Sequence, residues 1–472
     1  SFLKDDVTFD ISGASPSVSI GGLNGGGTVA LGGNNLTLTA ADGGSGQVSD
    51  GSAFLGNITD GGISGGVGGS LNIDSGTLRL FSENTYTGPT VIGTGGTLQL
   101  VDGSIATSSS VVDNGTFDIS SSWAPQISSL SGTGSVLLGD QGLTITNGSG
   151  AFSGAITDGP YLEGTSGGLT LTGGTQILSG QNTYSGVTIV GSGATLQLGN
   201  GGQGGTVATD IVNNGTLIID HDADTVLGTA ITGTGQMQIS GGGTLTQAAG
   251  INISQSLIST GNSVFNGSIL LTGDNTIPAL GGISATGDVT IHTNGALGLT
   301  GLISTPGTFT LQNSGTLQES ATGAIDAGVL TTGTGTVGGD TTLSGANTIG
   351  TLASFVVQDG IFQLNNASAL TLDGPLVAHA VNLTAAGGMT LGAGGSMFLS
   401  PGSATDSSTL TITGDGATLQ QAGNFYINDG PLQSAYAHMP TTLTLAPPGT
   451  GSMALGGTGQ QLADPTPDLV LR

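Results

Sequence analysis

The chain has 472 residues, of which 92 are Gly and none Cys; charged residues make up 7% and the formal net charge is −27. That balance excludes nucleic-acid binding and direct docking on anionic lipid headgroups, both of which need a cationic surface. It also excludes disulfides and thiolate metal sites, while the lack of a run of about 20 apolar residues excludes a membrane-spanning helix.

Apolar residues come in bursts of two to four Leu, Ile and Val separated by Gly, Thr, Ser and Asn. β-Branched residues suit a pleated surface, and Gly and Asn suit turns. No stretch shows convincing apolar spacing at i, i+3, i+4 and i+7, so helix content is expected to be low. Regular aliphatic spacing argues against disorder, and Gly does not fall at every third position as collagen requires.

In chain order, the first unit of a recurring pattern is Ser75-Gly76-Thr77-Leu78, and the same form returns at Asn114-Gly115-Thr116-Phe117, Asn214-Gly215-Thr216-Leu217, Asn294-Gly295-Ala296-Leu297 and Ser314-Gly315-Thr316-Leu317. The polar-Gly pair predicts a tight corner with positive φ. The alternation that follows predicts a short strand with Leu inward. Such units recur about every 15–25 residues, the length of one coil of a parallel β-solenoid.

A larger repeat overlies the small one. Asn84–Leu100 reads NTYTGPTVIGTGGTLQL, and Asn182–Leu198 reads NTYSGVTIVGSGATLQL, offset by 98 residues. Ile58-Thr59-Asp60-Gly61 and Ile156-Thr157-Asp158-Gly159 share that offset. A block of roughly 100 residues would hold about five coils. Tyr86 and Tyr184 are expected to pack at a corner. Asn-Thr returns at Asn275-Thr276 and Asn347-Thr348 without the Tyr. An antiparallel sandwich would instead show hairpins and turn signals every 8–12 residues. The predicted organisation is a regular solenoid over 1–250, a more degenerate solenoid over 251–446, and an irregular cap or linker over 447–472, where Pro clusters.

Nearly all the acid is Asp, the carboxylate that favours turns. Asp220-His221-Asp222-Ala223-Asp224 is the densest cluster. Its alternation places Asp220, Asp222 and Asp224 on one side as oxygen ligands for Ca²⁺; the same segment also reads as an acidic solvated loop. The four His (221, 292, 379 and 438) are scattered, which offers no nucleophile–base–orienter set. Catalytic residues and cofactors are therefore expected to be none. Trp123 and Tyr161 read as plugs over a coil end, with sugar stacking as the other reading.

The phrase Asn-Thr-Tyr-[Thr/Ser]-Gly, followed by Gly-Thr-Leu-Gln-Leu at 96–100 and Ala-Thr-Leu-Gln-Leu at 194–198, resembles the passenger-associated repeat of bacterial autotransporters. The structural positions carrying it are Asn84, Tyr86, Gly88, Leu98 and Leu100, with Asn182, Tyr184, Gly186, Leu196 and Leu198. The second half, with Phe355-Val356-Val357 and Phe362-Gln363-Leu364, looks more like haemagglutinin-type exoprotein repeats. The resemblance implies an all-β, right-handed parallel β-helix of about 20 or more coils. It also implies type V secretion, display or release at the bacterial cell surface, and a C-terminal outer-membrane β-barrel in the precursor that this sequence does not contain. The expected role is non-enzymatic: surface attachment, self-association including end-to-end filaments, or a biofilm matrix. The expected partners are a second copy of the chain or extracellular polysaccharide. The alternatives are a polysaccharide-active β-helix enzyme using Asp residues, and an inert spacer.

Overall fold

A computed structural model describes residues 2–4, 6–15, 17–41, 53–159, 166–202 and 204–399, together with the strands Ser408–Ile412, Leu419–Gln421 and Thr441–Leu443. Tyr161 and the segment 447–472 lie outside the described residues. Among the described residues there are strands and turns and no helix, so none could cross a membrane as a helix. The fold is a parallel β-solenoid of about 19 turns. The chain divides into two compact units: Ser1–His221 with Thr229–Met237, and Asp222–Gly228 with Gln238–Arg472.

In the first unit the inward residues of successive coils stack in columns. One column runs Leu78, Leu98, Phe117, Val136 and Ile156, each paired in parallel register with the next and almost fully buried. A second runs Leu143, Leu169, Thr188, Ile211 and Ile231. In the second unit Leu245, Ile269, Val289, Phe309, Leu330, Leu352, Leu372 and Leu391 form one unbroken buried column. Parallel strands about 4.8 Å apart bring like residue over like. Burying each aliphatic residue contributes roughly 1.5–3 kcal/mol, which explains how the fold stands with almost no charge pairing.

Two features differ from the sequence expectation. The strands are not uniformly short. Ser70–Leu80 has 11 residues, and Thr90–Val101, Leu302–Asn313 and Thr341–Leu352 have 12. They pair through the corner, with a register shift such as that between Ile92 and Gly95. A corner stacked on a like corner keeps its ladder, so the bend need not end the strand. The second difference concerns glycine. Gly76 and Gly295 do take positive φ, 78° and 85°, but Gly115 and Gly215 do not. They are required by close approach: a Cβ on Gly115 would strike the carbonyl oxygens of Gly93 and Gly96, and one on Gly215 those of Gly191 and Ala194.

Candidate functional site

The doubled phrase builds a polar spine inside the first unit. Asn84 is buried. Its Oδ1 accepts the Ile58 N–H at 2.9 Å, and its Nδ2 donates to the carbonyls of Ser82 at 2.8 Å and Ser104 at 3.1 Å. One side chain therefore ties three successive coils. Asn182 does the same with Ile156 N–H (3.2 Å), Gly180 O (3.2 Å) and Thr206 O (3.0 Å). The pattern persists in the second unit after the Tyr has gone. Asn275, Asn347 and Asn366 accept the N–H groups of Ile253, Ile325 and Ile349.

Tyr86 and Tyr184 are fully buried. The second aliphatic column is interrupted by Thr188, and the corresponding column at Leu71 and Val111 by Thr90. Each Thr hydroxyl is satisfied by the Tyr hydroxyl four residues earlier at 2.6 Å. Ser108 Oγ extends the first relay, 2.9 Å from Thr90 and donating to Gly88 O at 2.9 Å. Burial pushes both phenols up, out of the physiological range. Gly88 and Gly186 pack directly on carbonyls of the preceding coil, where a Cβ has no room. Leu98, Leu100, Leu196 and Leu198 are core residues.

The acids serve mainly as backbone staples. Asp60 accepts from Gly69 N at 3.0 Å and from Thr87 Oγ1 at 2.6 Å. Asp210, Asp288 and Asp340 accept the N–H groups of Ala230, Thr308 and Ile361, each about one coil further on. Asp220 ties coils through a side chain instead: its Oδ2 accepts from Gln197 Nε2 at 3.0 Å, as Asp118 Oδ2 accepts from Gln99 Nε2 at 2.9 Å. Gln99 Oε1 in turn accepts from Arg79 Nε at 2.8 Å. Asp224 Oδ1 accepts from Thr244 N at 2.7 Å, and Asp222 is exposed. Among the described residues no group of three or more His, Asp or Glu side chains could hold a metal ion. His221 and His292 are held below the usual imidazole range, chiefly by burial.

Trp123 is 86% exposed, which overturns its reading as a plug. It sits between Ser122, whose N–H closes a turn onto Ile119 O, and Ala124 in the left-handed region at φ 46°. The ring stands in solvent.

Two acids escaped the sequence reading. Asp113 is fully buried and Glu319 is 5% exposed. Asp113 Oδ1 accepts from Gly115 N at 3.0 Å. Glu319 Oε2 accepts from Gly345 N at 2.6 Å and from Asn347 Nδ2 at 3.3 Å. Desolvation pushes Asp113 up to about 7 and raises Glu319 above the usual carboxylate range. A signal was available: each lies two residues after an inward aliphatic, Val111 or Leu317, and so faces inward itself.

No protein-family model matches the chain, and no solved structure does. The chain is similar to the adhesin BmaC autotransporter of Brucella suis biovar 1 (strain 1330), 32% identical over 273 residues. That alignment covers 53% of this chain and 7% of the Brucella protein, so the chain spans a small part of the length of its relative. With the parallel β-solenoid, this likeness bears out the resemblance to an autotransporter passenger domain.

Proposed function

We propose that the chain is an adhesive, non-enzymatic segment of an autotransporter-type passenger, carried at the bacterial surface or released from it. The observation that carries this reading is the 273-residue likeness to an autotransporter adhesin in a chain whose polar groups are spent on its own coils. Carboxylates that accept backbone N–H groups of the next coil are poorly placed to act as acid and base on a substrate. What faces outward is repetitive in places: Gln318, Thr342, Gln363 and Asn382 form one polar column at the ladder spacing. Each makes weak contacts, and repetition adds them by multivalency. The partners would be extracellular polysaccharide or a second copy of the chain, with matrix or filament formation following from the second.

The test is surface attachment by the purified chain. Beads coated with it are expected to bind polysaccharide-coated or chain-coated surfaces with a strength that grows steeply with coating density. Binding no greater than that of beads coated with an unrelated acidic protein at every density would overturn the reading. Release of reducing sugars from the polysaccharide would replace it with the enzymatic one.

A further inference from the structure

We infer that Asp113 and Glu319 are neutral carboxylic acids in the folded chain, each donating a hydrogen bond, so that each unit takes up a proton on folding and gains stability as the medium acidifies.

The repeat sets each of these acids at an amide position. Asp113-Asn114-Gly115-Thr116 recurs as Asn213-Asn214-Gly215-Thr216. Asn213 Oδ1 accepts from Gly215 N at 3.1 Å, as Asp113 Oδ1 accepts from Gly115 N. Asn213 Nδ2 donates to Gln236 O at 2.9 Å. The counterpart of Gln236 is Ser135, since their N–H groups donate to the carbonyls of Gly215 and Gly115. Asp113 Oδ2, buried and without a partner, thus takes the place of an amide nitrogen that donates to a carbonyl. An ionised oxygen there has nothing to donate. A protonated one does.

The same substitution occurs in the second unit, with an offset of 72 residues. Gln247 Oε1 accepts from Gly273 N and Asn275 Nδ2, both at 2.9 Å, and its Nε2 donates to Ile251 O at 2.6 Å. Glu319 Oε2 accepts from the equivalent Gly345 N and Asn347 Nδ2, while Glu319 Oε1 is buried without a partner. The counterpart of Ile251 is Gly323. Two acids in two units therefore stand where the repeat carries amides, and each has one unpartnered oxygen at the amide-nitrogen position.

No neighbouring charge compensates. The strands stacked on Asp113, Thr90–Val101 and Leu130–Gly132, carry no titratable residue. On its own coil Asp118 is bonded to Gln99 and Ser120. The strands stacked on Glu319, Leu297–Leu299 and Thr341–Leu352, carry none either. Asp326 and Asp340 nearby are exposed, accepting from Thr348 and Ile361. The only cations in the sequence are Lys4, Arg79 and Arg472, and Arg79 is bonded to Gln99.

The experiment compares the full chain with Asp113→Asn, Glu319→Gln and the double variant, each of which restores the amide of the repeat. The Tm of the parent is expected to rise between about pH 8 and 5 by ~2–4 °C per pH unit for each acid in its titration range. Each single variant should melt higher than the parent at pH 8 and show a shallower slope, and the double variant should be nearly flat. Infrared spectra of the folded parent near pH 6.5 should show a protonated-carboxyl C=O stretch that diminishes in each single variant and vanishes in the double. A parent with no such band between pH 8 and 5, or a double variant with the parent's slope, would overturn the inference. Should a variant fail to fold, the infrared titration of the parent decides alone.

Discussion

Asn182 and Thr188 show how much single polar side chains do inside an apolar stack. Asn182 satisfies the Ile156 N–H and two carbonyls, so Asn182→Ala leaves the buried Ile156 N–H unpaired and takes a donor from the part-buried carbonyls of Gly180 and Thr206. A cost of about 3 kcal/mol is expected, read as a lower urea midpoint. Asn182→Asp keeps the acceptor but turns an oxygen toward two carbonyls. It should be worse than Ala at pH 8 and recover on acidification. Thr188 poses a different case, because its partner is a single phenol. Thr188→Val leaves the Tyr184 hydroxyl buried and unpaired, costing about 1–2 kcal/mol. Adding Tyr184→Phe removes the stranded group. A double-mutant cycle should therefore show a coupling of about 1 kcal/mol between these residues; additive losses would mean the 2.6 Å contact contributes nothing.

At the scale of the coil, the limiting element is the corner. Gly115 packs between carbonyls of the coil beneath it, so Gly115→Ala should cost about 2 kcal/mol or more through overpacking. Gly21 has nothing near its Cβ position and no positive φ. Gly21→Ala should be neutral or stabilise by up to about 1 kcal/mol. Paired thermal melts check the contrast. This pair also marks what the sequence could reveal. The Leu-x-Leu alternation fixes which residues face inward, because the strand period is 2, and the columns follow from it. The purpose of a corner glycine is not legible in the same way: Asn-Gly looks alike whether the chain needs positive φ, as at Gly295, or room for a neighbouring carbonyl, as at Gly115. The acid staples were half legible. Asp favours turns, but an acceptor reaching the next coil, as Asp288 reaches Thr308, depends on a register that only stacking defines. Asp113 was hidden because Asp-Asn-Gly reads as a turn, although Val111 two residues earlier already sets its parity inward.

For the whole chain, acidification removes negative charge while it protonates Asp113 and Glu319. The net charge is −27 at pH 7 and the pI about 4.1, so acidification toward pH 4 reduces the repulsion between copies. Most acidic proteins lose native carboxylate interactions over that range. Here the sign is opposite for Asp113 and Glu319. Burial raises Asp113 to about 7, above the ordinary aspartate value of 3.8, so the folded state holds the extra proton. Stability from this group is complete below about 3.8, declines as pH rises, and is lost above about 7. Glu319, also raised, acts in the same sense. The chain should therefore lose negative charge while Asp113 and Glu319 add stability to their units, and copies that associate should do so folded. Light scattering is expected to rise between pH 7 and 4, with the far-UV spectrum unchanged and full reversal on return to pH 7. Unchanged particle size would exclude charge-controlled association. Growth accompanied by a loss of strand signal, or irreversible growth, would assign it to unfolding, and the double variant Asp113→Asn, Glu319→Gln separates the two effects because it alters stability while leaving nearly all of the surface charge in place.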